Sequence, residues 1–282
     1  MTVITGFSWL SEVVMIADTR VSWITQQGVI LKTEDVLKKL YSIRSPKSPQ
    51  KAAVLGFSAN DIRAAKTVIT HLGKHKFQNY NRPLVMVNLK DDLRSWMEEV
   101  TVTRLTREAR ANLKFMLCGI ERGRPLRLKK GDKIVSYPQI LETHLYVYSI
   151  DKESGEVKVS VNQQDFAAIG SGRKLKKEMR KQVHQGIKFG FNQPKLYPAR
   201  AFLITDIISS MFEADESIKD VGGPFQTVRI TPTGLIQDFV WWPRSDDKST
   251  NIEVKEQGGK TVIYNPALKK NYTLYPVWEL PF

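Results

Sequence analysis

Apolar and polar positions in the first part of the chain fall into short blocks that suit strands. Val3–Phe7 is one, and Val13–Ala17 is nearly all apolar, as a strand covered on both faces would be. Val21–Ile24 and Gly28–Leu31 predict a hairpin about Thr25-Gln26-Gln27, and Lys39–Ile43 and Ala52–Phe57 add two strands. The period then changes to that of a helix. Ile62, Ala65, Ile69 and Leu72 share one face, with Asn60 or Asp61 placed to cap it. A polar link, Lys74–Arg82, leads to a second helix that carries Leu89, Leu93, Trp96, Met97 and Val100 on one side, with Asp91 and Asp92 near its start.

Strands resume at Lys114–Ile120. Leu145–Ile150 and Val157–Val161 flank Asp151-Lys152-Glu153-Ser154-Gly155, a hairpin turn by composition. Phe166–Ile169 runs into Gly170-Ser171-Gly172. Two more helical patterns follow, one through Leu175, Met179, Val183 and Ile187, the other through Ile204, Ile207, Ile208 and Met211. Gln226–Ile230 and Leu235–Val240 close the pattern as a hairpin about Thr231–Gly234.

Strands, paired helices, strands, paired helices and strands, with hairpins dominating, predict an α+β class. The expected architecture is a four-layer αββα sandwich of two antiparallel sheets with helices outside. Residues 1–240 read as one domain, interrupted at 121–142 by a basic, irregular inserted loop. Residues 241–282 turn Pro- and aromatic-rich, with two strand-like runs, and read as a tail packed on that domain.

Composition narrows the class only a little. The chain has 282 residues, 41% hydrophobic and 26% charged, which suits a folded protein with a sizeable core and excludes disorder as its main state. A single cysteine, Cys118, allows no internal disulfide; with no signal-peptide pattern at the start, a cytoplasmic location is expected. No apolar run is long enough to cross a bilayer. The net charge of +14 admits acidic proteins, anionic surfaces or nucleic acid as partners. No nucleic-acid-binding motif accompanies the charge, so nucleic acid is disfavoured.

Several residues invite chemistry, and each has a plainer reading. Asp18 and Arg20 after a strand are, alone, a turn with an ion pair. Gly170-Ser171-Gly172 alone is a strand-to-helix turn that would also suit a phosphate. His71 and His75 stand four apart, but with no third ligand they read as surface residues rather than a metal site. Cys118 lies in an apolar strand and reads as core. The run Arg173, Lys174, Lys176, Lys177, Arg180 and Lys181 is a solvated helix face or, with the basic segment at 122–133, a docking patch.

Taken together these pieces change the odds. Thr2, Ala17-Asp18-Thr19-Arg20, Lys38-Lys39-Leu40-Tyr41-Ser42-Ile43, Leu55-Gly56-Phe57-Ser58-Ala59, Ile169-Gly170-Ser171-Gly172 and Gly222-Gly223 occur in an order and spacing that resembles the β-subunits of the proteasome and their bacterial proteasome-like relatives. The resemblance spans about Thr2 to Phe239, and each motif is weak by itself.

The resemblance implies an N-terminal-nucleophile threonine peptidase that needs neither cofactor nor metal. Thr2 would be the nucleophile once Met1 is removed. Its own α-amine, titrating near pH ~8, would be the base. Lys39 would lower that amine's pKa and Asp18 would hold Lys39. Arg20 would brace the neighbouring loop, and main-chain N–H groups about Phe57 and Ser58 would form the oxyanion hole and pocket. Phe57 and Ser58 stand where the family often has Gly, which changes the pocket wall. Ser171, between Gly170 and Gly172, would orient the amine. Asp220, or Asp215, would fill the family's remaining Asp role, although the family's Asp-x-x-Ser register falls on Ile218 and Val221 here. The implied partners are peptide or protein substrates, copies of the chain in a ring-forming homo-oligomer, and an ATPase unfoldase. Two further readings keep the fold and change the function: a catalytically silent scaffold with a basic surface, and a small-molecule amidase.

Overall fold

The computed structural model describes residues 3–9, 12–24, 30–35, 39–45, 47–78, 80–122, 127–130, 133–136, 141–161, 165–173, 175–191, 208, 211, 225–230, 236–241, 253–257, 260–265 and 270–274. The chain opens with strands β1 (Val3–Trp9), β2 (Glu12–Asp18), β3 (Arg20–Ile24), β4 (Ile30–Asp35), β5 (Leu40–Ser45) and β6 (Ser48–Ser58). Helix α1 (Ile62–His71) is capped by Asp61, whose carboxylate accepts the Arg63 N–H. Helices α2 (Met86–Arg104) and α3 (Arg107–Arg110) follow, then β7 (Lys114–Arg122), β8 (Arg127–Lys130), β9 (Lys133–Ser136), β10 (Leu141–Ile150), β11 (Val157–Val161) and β12 (Phe166–Gly170). Helix α4 (Lys176–Phe191) precedes β13 (Phe225–Ile230), β14 (Ile236–Trp241), β15 (Glu253–Gln257), β16 (Lys260–Asn265) and β17 (Lys270–Leu274).

Among the described residues, ten strands make two five-stranded antiparallel sheets, ordered β12-β1-β2-β13-β14 and β11-β10-β7-β6-β5, and β3 pairs with β4 apart from them. Alternation along each strand divides the side chains between two faces. Ile4, Met15, Ala17, Leu40, Val54, Met116, Cys118 and Val228 fill the layer between the sheets. Phe57, Phe115, Tyr148, Leu89, Leu93 and Met97 fill the layer between the second sheet and helices α1 and α2. Val3, Phe7, Ile16 and Phe225 on the first sheet meet Met179 and Val183 of α4 and Ile208. The α+β sandwich is therefore the observed architecture, its two sheets buried face to face with helices outside. No helix among the described residues is long and apolar enough to cross a membrane.

Several local expectations change. The supposed polar link after α1 is ordered. Residues Leu72–Phe77 continue the helix as a π turn, and Leu72, Phe77, Tyr80 and Leu84 are buried. Phe77 and Tyr80 each meet Trp96 edge-on at 5.5 and 5.9 Å, so two apolar residues hidden in a charged stretch anchor α2. That continuation also buries His71, which the sequence assigned to the surface; only His75 of the pair is exposed. Helix α2 begins at Met86, so Asp91 and Asp92 lie in its second turn rather than at its start. The segment at 121–142 is not irregular throughout, since β8 and β9 pair antiparallel within it. Among the described residues the last stretch carries three strands, not two, in a sheet of their own ordered β15-β16-β17. The predicted turns at Thr25-Gln26-Gln27 and Thr231–Gly234, and Ile204 and Ile207, lie outside the described residues.

Candidate functional site

The site is built where the first sheet's β2 ends and the second sheet's β5 begins. Antiparallel pairing sets Ile4 of β1 opposite Ala17 of β2, so Val3 reaches Asp18 just beyond. The Val3 N–H donates to Asp18 Oδ1 at 2.8 Å. Lys39, immediately before β5, crosses from the other sheet and donates from Nζ to the same oxygen at 2.9 Å and to the Arg20 carbonyl at 2.8 Å. Both side chains of the pair are wholly buried. Arg20 thus enters through its main-chain oxygen.

The backbone that carries Lys39 is itself held. Gln226, one residue into β13, is buried, and its Oε1 accepts the N–H of Lys39 and of Leu40, each at 3.2 Å. Its Nε2 donates to the Leu40 carbonyl at 3.4 Å. Gln226 was read from sequence only as the start of a strand. The available signal was a polar residue on the same face as Val228 and Ile230, where an apolar one was due. An amide buried among aliphatics must find partners, and here those partners are the backbone of the opposite sheet.

Electrostatics at the pair are a contest. Burial pushes the Asp18 carboxyl above its ordinary value, and the Lys39 charge and the Val3 N–H pull against that. Asp18 Oδ2 has no hydrogen-bond partner among the described residues. One carboxylate oxygen therefore carries both contacts, and the other is buried.

Around this pair the remaining predicted residues fall as follows. Gly170 pairs with Val3 across β12 and β1, with φ at 75°, a value glycine adopts without strain. The chain leaves β12 through that glycine into a short 3-10 turn, Ser171–Arg173, so Ser171 follows directly on the residue paired with Val3. Phe57 differs from expectation. Its ring stacks on Tyr41 at 6.2 Å and lies 6.4 Å from Phe115, in the helix-side layer, and its N–H already donates to the Lys39 carbonyl at 3.3 Å. Strand alternation is the reason: Gly56 faces Met15, Leu40 and Ile4 between the sheets, so Phe57 must point away and Ser58 back again. Phe57 is a core residue, not a pocket wall. Thr2, Asp215, Asp220, Gly222 and Gly223 lie outside the described residues.

No family model matches the chain, and no curated protein does. Solved structures do match. Anbu from Hyphomicrobium sp. strain MC1 aligns with a TM-score of 0.52 at 16% identity, over 87% of this chain and 89% of that one. A Gly-1 mutant of the same Anbu aligns at 0.53 and 18% identity, over 88% and 89%. Anbu from Yersinia bercovieri, described as an ancestral beta-subunit, aligns at 0.51 and 13% identity, over 87% and 88%. The fold is similar to that of Anbu. At such identities the likeness to Anbu carries the architecture alone, and it agrees with the proteasome-like fold that the short motifs imply.

Outside this centre, other reactive groups are quiet. Burial raises the Cys118 thiol well above its ordinary value, which leaves it protonated within the inter-sheet layer of the Anbu-like fold. The His71 and His75 rings lie 5.0 Å apart, but no group of three or more metal-ligating side chains occurs among the described residues.

Proposed function

We propose that the chain is a threonine-nucleophile amide hydrolase that cleaves peptides through an acyl-enzyme on Thr2, after removal of Met1. The observation that carries this reading is the buried Lys39–Asp18 pair bound to the N–H of Val3, the residue bonded to Thr2. A wholly buried lysine paired beside Val3 has little structural benefit, since buried ion pairs are seldom net stabilising. Beside an α-amine it has a chemical one.

In the proposed mechanism Met1 removal leaves Thr2 with a free amine. Lys39 lowers the amine's pKa, so more of it is neutral at pH 7. The amine takes the proton from the Thr2 hydroxyl as the oxygen attacks the substrate carbonyl. Main-chain N–H groups of the segment after Phe57 receive the oxyanion, because the Phe57 N–H is already engaged. The tetrahedral intermediate collapses, the amine returns its proton to the leaving nitrogen, and an ester forms on Thr2. Water then attacks that ester by the same route and regenerates the hydroxyl. Asp18 fixes Lys39 in place, Gln226 fixes the Lys39 backbone, and Ser171 orients the amine. Residues 1–240 act as the catalytic domain of a homo-oligomer.

Intact mass before and after incubation with a peptide epoxyketone tests the reading, because that warhead needs a hydroxyl and a free α-amine on one residue. The expected result is loss of Met1 and a stoichiometric adduct on Thr2 that is absent from Thr2→Ala. Retained Met1, or no adduct on a Met1-free chain, overturns it.

A further inference from the structure

The mouth of the sandwich beside this site holds two cations that nothing described neutralises. Lys114 opens β7 and pairs with Ser58 of β6 on one side and Ser149 of β10 on the other. Alternation places it on the face of Met116 and Cys118, which look into the inter-sheet layer, so Lys114 extends that face at its open end. It is partly buried. Arg173 closes the 3-10 turn two residues after Ser171, and that turn packs on β1 and β12 of the opposite sheet. The two side chains therefore approach from opposite sheets, one beside Ser58 and the other beside Ser171.

They are close enough to feel each other. Burial, and then the Arg173 charge, hold Lys114 below its ordinary pKa. Neither makes an ion pair or a hydrogen bond with a described residue. Two cations of α4 do find partners: Arg180 reaches Asp165 at 3.3 Å and Lys181 reaches Glu178 at 4.0 Å. Two like charges brought toward each other from facing sheets, Lys114 partly buried and Arg173 exposed, repel each other unless an anion joins them. The net charge of +14 would draw such an anion in.

We propose that Lys114 and Arg173 form an anion-binding subsite that selects acidic peptides, with a substrate Glu or Asp side chain bridging the two cations next to the scissile bond. The proposal rests on the hydrolase reading for its place in catalysis, and on the two cations alone for binding. Arg173 offers a planar pair of donors and Lys114 a point charge, a set that fits a carboxylate.

The test uses two readouts on the full chain. The first is fluorescence anisotropy of a labelled Glu-rich peptide, and of its Gln-rich counterpart, on the Thr2→Ala protein, where no turnover intervenes. The second is kcat/KM of internally quenched peptides that differ only by Glu or Gln beside the cleavage point. We expect the Glu peptide to bind at least tenfold tighter than the Gln peptide and to be cleaved at least tenfold faster. Lys114→Gln with Arg173→Gln should abolish both preferences and leave the melting temperature unchanged. Lys66→Gln with Lys74→Gln, the same charge loss on exposed positions of α1 and the π turn, should change neither. Equal binding and cleavage of Glu and Gln peptides, or a Glu preference that survives in the double variant or falls equally in the control, overturns the subsite. Glu-selective binding lost in the double variant, with no epoxyketone adduct on Thr2, keeps the subsite and removes the hydrolase reading. An adduct with no Glu preference does the reverse.

Discussion

Replacing Lys39 by methionine isolates the feature on which the site depends. The pair is wholly buried with its charges 2.9 Å apart. At an effective dielectric of ~20 that separation corresponds to about 6 kcal/mol of attraction, most of which offsets the desolvation of both groups. Removing one partner leaves the desolvation of the other, so the expected loss at pH 8 is about 3–5 kcal/mol. For a chain of this size that is a fall in Tm of roughly 5–8 °C. The sign of the pH dependence follows from Asp18. Burial already raises its pKa, and Lys39 is the largest influence holding it down. Without Lys39 the folded carboxyl binds its proton more tightly than the unfolded one. Its contribution is then favourable at low pH and is lost as pH rises through the raised pKa. Lys39→Met should therefore sit much closer to wild type at pH 5 than at pH 8, and adding Asp18→Asn should recover most of the loss at pH 8. Urea unfolding at the two pH values reads all of this. A loss under about 1 kcal/mol, an equal loss at both pH values, or additive single losses in the double variant would refute the account of Asp18 and Lys39 as a coupled buried pair.

Three other substitutions separate the core from the chemistry. Phe57→Ala should cost about 3–5 kcal/mol in urea unfolding, because the ring lies in the helix-side core, and the folded fraction should still form the epoxyketone adduct. Gly56→Ala should cost about 1–3 kcal/mol, since a Cβ there would lie 2.8 Å from Met15 Sδ, 2.9 Å from Leu40 Cδ2 and 3.0 Å from Ile4 Cδ1; thermal melting checks it. The His71 pKa is lowered by burial, with Glu99 opposing, so the unfolded chain takes up the proton first and stability should fall as pH drops below about 6.5. His71→Leu should flatten that slope in melts between pH 7 and pH 5.5; an unchanged slope would mean that the buried ring does not cause it.

The features legible in the sequence were those with a local cause. Alternation gave the strand positions, because each strand has one face in a core layer, as Ile4, Met15 and Val54 do. Asp18 and Lys39 could be paired across 21 residues because short motifs with a fixed order stand in for a contact. What escaped the sequence had a cause far along the chain or on the wrong face. The turn after α1 looked polar because Lys74, His75 and Lys76 outnumber Phe77, yet Phe77 and Tyr80 are buried and both pack on Trp96. Phe57 looked like a pocket residue because its motif surrounds the site, while a strand turns every second side chain away from it. Gln226 lies 187 residues from Lys39, and no local rule joins them.

That distance bears on how the site holds its shape. Asp18 belongs to the first sheet, and Lys39 leads into the second. Two aliphatic faces packed together resist separation but resist sliding poorly, because burial is nearly the same after a small shift. Directional contacts do fix the register. The Lys39–Asp18 bond and the Gln226 clamp on Lys39 and Leu40 cross from one sheet to the other at the same end of the sandwich. Loss of Gln226 would free the β5 backbone while leaving the ion pair's atoms intact. Gln226→Leu should therefore lower the rate of Thr2 adduct formation by tenfold or more while lowering stability by only about 1–2 kcal/mol. If the rate holds while stability falls, the register is set by packing alone, and the glutamine is only a satisfied core amide.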